Sequence, residues 1–184
     1  MSNPWDFEPN SLDFESDGLP CAMRRNHECS GVWCGYVGVP SDHPWYGLPY
    51  NTLIKPLPGM LENRDPDDYG IMNLFLAAAS GKDPREGIEI AMALRVHGGV
   101  SFCDDHIWMP GDEPEGFWWF GFDCGHYNDL SPWMLKLFEE NGKADFPDWF
   151  RGVYRDQQYV VSECQQLAAQ LVRIAEQSEL VLQW

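Results

Sequence analysis

Positive charge is what this sequence has least of. Its 184 residues carry 12 Lys and Arg against 29 Asp and Glu, a formal net charge of −17. A surface that binds nucleic acid directly needs a basic face to neutralise phosphates, and an anionic membrane makes the same demand. Both are excluded as direct ligands. Long apolar runs are missing too: no stretch reaches the roughly 18 apolar residues of a membrane-spanning helix. The first residues are acidic and lack a basic segment followed by an apolar one, so no secretory leader is expected. Cysteine is not scarce, at six, but Cys21, Cys29 and Cys34 match no zinc knuckle and no CxxC pair occurs. Without a leader these read as reduced cytosolic thiols.

What is present is apolar and aromatic. Hydrophobic residues make up 44% and aromatics 14%, with nine Trp. That is enough for one domain with a real core, and for rings left over to line a pocket. The acidity permits a cation or a basic protein as partner. The chain divides into an acidic N-terminal arm over residues 1–19 and a single domain over 20–184. The arm reads as a mobile tail, or as a segment whose Trp5, Phe7, Leu12 and Phe14 pack on the domain or on a partner.

Pro20–Asn26 and Gly31–Val39 read as strands, the second almost wholly apolar and therefore central. Its glycines point to a bulge or a close approach by another backbone. Ile71–Ala79 reads as a short helix, and the acidic Glu62–Asp68 before it as a turn. Ile88 to Val96 alternates apolar and polar, which predicts a strand, with Gly98-Gly99 turning it into a second strand at Val100–Cys103. Phe117–Phe122 is an aromatic strand. Ser131-Pro132 starts a short helix that Asn141-Gly142 ends. From Asp156 to Glu179 apolar residues recur at three- and four-residue steps, broken only by Glu163, which predicts one long amphipathic helix. The fold class is α+β: a single domain with an antiparallel or mixed sheet and the C-terminal helix packed on it.

Chemistry concentrates at the end of the aromatic strand. Asp123, Cys124, His126, Asn128 and Asp129 crowd one turn, and His97 lies in the Gly-Gly turn. His97, Asp123, His126 and Asp129 can supply nitrogen and oxygen ligands to zinc or iron, although no HExxH spacing supports a metal and no cofactor is assigned. Cys124 beside a histidine can be read as a nucleophile, or as a small packed residue. The two histidines can equally bond each other's loops. A pocket of Arg24, His43, Trp45, His97, Trp119, Asp123, His126 and Asp129, with Tyr46 and Tyr127, would suit a planar polar ligand. The loop bearing His43 and Trp45 can instead plug the end of the sheet, and Arg24 can lie on an exposed strand edge.

Several motifs occur in order: Cys34-Gly35-Tyr36-Val37-Gly38, His43-Pro44-Trp45-Tyr46-Gly47, His97-Gly98-Gly99-Val100-Ser101-Phe102, Gly121-Phe122-Asp123-Cys124-Gly125-His126 and Tyr154-Arg155-Asp156-Gln157-Gln158-Tyr159-Val160. This set resembles a family of proteins encoded by bacteriophages and prophages, over about Pro20 to Leu171. The family carries no assigned reaction, so the resemblance implies a setting, host takeover or counter-defence, and no catalytic residue. Three functional expectations follow. The first is a nucleotide-like signal bound, with or without cleavage, around Asp123, His126 and His97. The second is an acidic, DNA-mimicking inhibitor of a basic host protein, and the third a small metal-dependent hydrolase. The long helix and surplus aromatics would allow a homo-oligomer.

Overall fold

The computed structural model describes residues 3–26, 30–60, 62, 81, 87–109, 111–140 and 152–182. Within them a five-stranded antiparallel sheet runs in the order β1-β2-β3-β7-β6. Its strands are β1 (Ser11–Ser16), β2 (Leu19–Arg25), β3 (Trp33–Val39), β6 (Phe102–Asp104) and β7 (Trp118–Asp123). A separate two-stranded ladder pairs β4 (Leu53–Ile54) with β5 (Ile88–Glu89). The helices are α1 (Ile90–Ala93), α2 (Pro132–Glu140) and α3 (Gln157–Leu182). The expected α+β domain is therefore seen: an antiparallel sheet with one long C-terminal helix across it. No helix among the described residues is long and apolar enough to cross a membrane.

Pleating gives the sheet two apolar faces. One carries Cys21, Met23, Trp33, Val37, Phe120 and Phe122 against Val160, Cys164, Leu167 and Leu171 of α3. The other gathers Ala22, Tyr36, Ile107 and Trp119. Because both faces are covered, β3 and β7 read as continuous apolar runs rather than alternating ones. The helix lies close to the sheet at Gly35, opposite Phe122 in the register. A Cβ there would stand 2.5 Å from Phe122 Cζ and 2.8 Å from Cys164 Sγ. The close approach expected at a strand glycine is thus made by an aromatic side chain and a helix thiol.

The segment set apart by its charge as an arm is largely built into this domain. Ser11–Ser16 forms an edge strand on β2 through a two-residue hairpin at Asp17-Gly18, both with positive φ (52° and 78°). That is the turn geometry whose twist matches paired strands. Leu12 and Phe14 pack against the core while Ser11, Asp13 and Glu15 face outward. Further back, Glu8 accepts hydrogen bonds from Trp33 Nε1 (3.1 Å), Tyr154 Oη (2.6 Å) and the Gln157 backbone N–H (3.0 Å). It also pairs with Arg25. Burial pushes the Glu8 carboxyl upward, but these donors outweigh it and hold the group below its ordinary range. Together with Asp156, whose Oδ1 accepts from the Tyr159 N–H (2.8 Å), Glu8 caps the start of α3.

The strand expected over 88–96 is corrected. Only Ile88–Glu89 forms a strand; Ile90–Ala93 forms one helical turn, and the pairing is with β4, so no hairpin with β6 forms. Ile90, Ala91, Ala93 and Leu94 are all buried. A helical turn buries consecutive residues on several sides, which a half-exposed strand does not, and Ala, Met and Leu favour it. The helix start at Ser131-Pro132 is present, with Ser131 Oγ accepting from the Met134 N–H (3.3 Å). The readings over 71–79 and at 141–142 lie outside the described residues, as does nearly all of 62–68. Cys21, Cys34, Cys103, Cys124 and Cys164 are free thiols.

Gly35→Ala should cost about 1–3 kcal/mol by overpacking the sheet–helix contact. Urea unfolding would read this as a lowered midpoint; an unchanged midpoint would mean that β3 and α3 are less tightly packed than described.

Candidate functional site

The stiff β7 ends at Asp123 and hands the chain to a compact loop. Cys124 N–H donates to Trp33 carbonyl oxygen (2.9 Å), and Asp129 N–H donates back to His126 carbonyl oxygen (3.0 Å). The loop is stitched to the segment entering α3 by Val153 N–H to Asn128 O (2.7 Å) and Leu130 N–H to Val153 O (3.0 Å). These bonds bring the first turns of α3 against the β7 loop. The Gly98-Gly99 turn, with φ of 69° and 85°, supplies the third side.

Asp129 is the centre, with 1% of its side chain exposed. Its Oδ2 accepts from His97 Nε2 (2.7 Å) and from the His126 N–H (3.0 Å), and its Oδ1 from Arg155 Nε (2.8 Å). Burial alone would raise this carboxyl. The bonds from His97 and Arg155 outweigh that, and the group is held below the ordinary carboxylate range. His97 is fixed on two more sides. Its N–H donates to Glu163 Oε2 (2.8 Å), and its Nδ1 meets Tyr159 Oη at 3.0 Å. Burial, then the nearby Glu163, push the Tyr159 phenol up to about 12, so it stays protonated and donates. The consistent arrangement is Tyr159 O–H to Nδ1 and Nε2–H to Asp129. Arg155 also lies over the Tyr159 ring, 4.7 Å from its centroid.

His126 packs edge-on to His97, with ring centroids 5.2 Å apart. Its seat exists because residue 98 is glycine: a Cβ there would fall 2.1 Å from His126 Cε1. Its Nδ1 is buried and has no hydrogen-bond partner among the described residues. That nitrogen lies 3.8 Å from Asp129 Oδ2 and 4.0 Å from Asp123 Oδ1. His97, His126 and Asp129 each offer one donor atom, all within 4.8 Å of one another.

The structure therefore brings together His97, His126 and Asp129, with Asp123 at the rim. It places the other nominated residues elsewhere. Arg24 is buried and spent on Asp13 (2.7 Å), Glu113 (2.9 Å) and the Met109 carbonyl (3.0 Å). His43 accepts at Nδ1 from the Trp45 N–H (3.1 Å) and donates from Nε2 to the Leu171 carbonyl (3.0 Å). Burial lowers its pKa, which suits a neutral ring that plugs the fold. Leu171 lies 12 residues along α3 from Tyr159, about 18 Å. Trp45 and Trp119 belong to the cores of the two sheet faces. Cys124 is 1% exposed, and burial, then Asp129, hold its thiol well above the ordinary value, so it does not fit a nucleophile. Arg155, Tyr159 and Glu163 were not nominated. The signal for Glu163 was the one break it makes in the apolar stripe of α3, whereas Arg155 and Tyr159 stood only inside a quoted motif.

Comparisons with protein-family models, with curated proteins and with solved structures returned no match.

Because the folded state holds Asp129 charged, its contribution to stability is complete above the unfolded carboxylate value of about 3.9 and is lost as pH falls through the lower folded value. Asp129→Asn should therefore cost about 3 kcal/mol near neutral pH. The gap between the two proteins should close below about pH 4. Thermal unfolding from pH 7 to pH 3 reads both; a gap that does not change with pH would contradict the charged, donor-saturated Asp129.

Proposed function

We propose that the protein holds a divalent cation at His97, His126 and Asp129 and through it binds a phosphate-bearing, nucleotide-like small molecule, with hydrolysis as the reaction such a cation supports. The observation that carries this reading is the buried, unpartnered Nδ1 of His126, 3.8 Å from Asp129 Oδ2. A buried nitrogen without a partner costs about 1–3 kcal/mol. A cation shared with Asp129 and His97 removes that cost. Two imidazoles and one carboxylate suit zinc or ferrous iron.

Local charge supports the cation as well. Two carboxylates, Asp123 and Asp129, lie within 4.0 Å of His126 Nδ1, and one guanidinium, Arg155, pairs with Asp129, which leaves these three groups at −1 (two minus one). A phosphate arriving alone would be repelled, whereas a dication reverses that sign and turns the site towards anions. Tyr159 then takes the outer position that orients a ligating histidine. The rim is open at His126 and Asp123, whose side chains are 31% and 40% exposed. Tyr127, 65% exposed, adjoins them with a ring on which a base can stack. The phage resemblance supplies the role: removing a host nucleotide signal in the host cytoplasm.

The test is calorimetric titration of metal-stripped protein with Zn²⁺ and Mn²⁺, then thermal shift with cyclic oligonucleotides and ADP-ribose derivatives in the presence of the bound metal. A cation at a hundredfold excess over its dissociation constant adds about 2.7 kcal/mol, a rise of about 5–11 °C for a chain of this size. His126→Ala and Gly98→Ala should each abolish that rise, whereas Trp108→Ala, on an exposed side chain, should keep it. Native protein that binds neither metal would sink the metal-centred reading and favour the acidic inhibitor of a basic host protein.

A further inference from the structure

We infer that the groove between the N-terminal segment and α2 is a second ligand site, for a neutral planar heterocycle of nucleoside size. The concavity has a volume of about 390 Å³, within the range of small-molecule sites. Asn3, Trp5 and Asn10 line one wall, Trp133 and Lys136 the other, and Arg25 of β2 also contributes.

The groove is preformed. Arg25 is only 6% exposed, donates from Nη1 to the Trp5 carbonyl (2.9 Å), pairs with Glu8 and lies over the Trp33 ring at 4.7 Å. Trp5 is braced edge-on by Tyr154, with centroids 4.9 Å apart, and Tyr154 itself donates to Glu8. Opposite them, Trp133 on α2 leaves 44% of its surface exposed. Two indoles at one concavity, one of them clamped from behind, form a stacking site that packing does not require.

Charge and hydrogen bonding select the ligand. Arg25 and Lys136 are matched by Asp6 and Glu139 among the lining residues, so the groove has no net charge to offer a phosphate. The amides of Asn3 and Asn10 can each donate and accept, as the edge of a base requires. The Nε of Arg25, one of the lining residues, is buried without an acceptor among the described residues, and a heterocycle nitrogen or carbonyl is the kind of partner it lacks. None of these groups belongs to the His97 cluster, so this site stands apart from the proposed metal site.

The experiment titrates the full chain with adenosine, guanosine, cytidine and uridine, and with the corresponding monophosphates, and reads tryptophan fluorescence and the melting temperature. At least one nucleoside should give saturable quenching and a raised melting temperature, and its monophosphate should bind more weakly. Trp133→Ala should weaken that binding at least tenfold and Trp133→Phe should retain most of it, with Trp108→Ala and His126→Ala unchanged. The inference is overturned if no nucleoside raises the melting temperature, if Trp133→Ala binds as well as the native chain, or if the monophosphate binds more tightly. Loss of nucleoside binding in His126→Ala would also overturn it, by placing the ligand at the other site.

Discussion

A carboxylate taken out of water must be surrounded by donors, and this protein meets that demand twice at the same place. Asp129 collects His97, the His126 N–H and Arg155; Glu8 collects Arg25, Trp33, Tyr154 and the Gln157 N–H. Three of these donors, Tyr154, Arg155 and the Gln157 N–H, come from the segment that enters α3. The chain cannot satisfy either carboxylate without docking the start of that helix. One carboxylate fixes the loop after β7, and the other fixes the N-terminal segment. Unpaired, either group would be a buried charge costing several kcal/mol.

The apolar packing and the polar clamps divide the labour. The long apolar stripe of α3 decides that the helix crosses the sheet, an effect of area with little directional content. The carboxylates decide how its first turns sit, because hydrogen bonds are directional over tenths of an ångström. A candidate site at the meeting of β7, the Gly98-Gly99 turn and α3 is therefore held by three rigid elements. His126 is the member held least firmly by bonds: Gly98 gives it room, and its Nδ1 has no partner to lose.

What was legible in the sequence follows the same division. The strands β3 and β7 and the helix α3 announce themselves through apolar runs and a period near 3.6, because burial leaves that imprint locally. The crowding of Asp123, His126 and Asp129 at a strand end, with His97 in a Gly-Gly turn, was also visible. Arg155 and Glu163 were not, because they meet Asp129 and His97 across 26 and 66 residues, a separation that only the sheet and helix packing defines. Arg24, His43, Trp45 and Trp119 share the chemistry of a binding pocket and spend it on core packing and buried bonds. The first hairpin was masked by its charge: acidic residues suggested a solvated tail, although Leu12 and Phe14 alternate with them and Asp17-Gly18 is a strong turn signal. The Ile88–Val96 alternation misled in the opposite sense, since a residue buried on every side carries no period.

The proton on His97 reports most directly on whether Asp129 organises this site. Long-range ¹H–¹⁵N spectra of the imidazoles distinguish its two neutral tautomers. In metal-free protein near neutral pH the account requires the proton on Nε2, donated to Asp129, with Nδ1 accepting from Tyr159. Adding Zn²⁺ should move that proton to Nδ1 as Nε2 turns to the cation. A proton found on Nδ1 in the metal-free protein would contradict the account, because Asp129 would then lack the donor on which its buried charge depends.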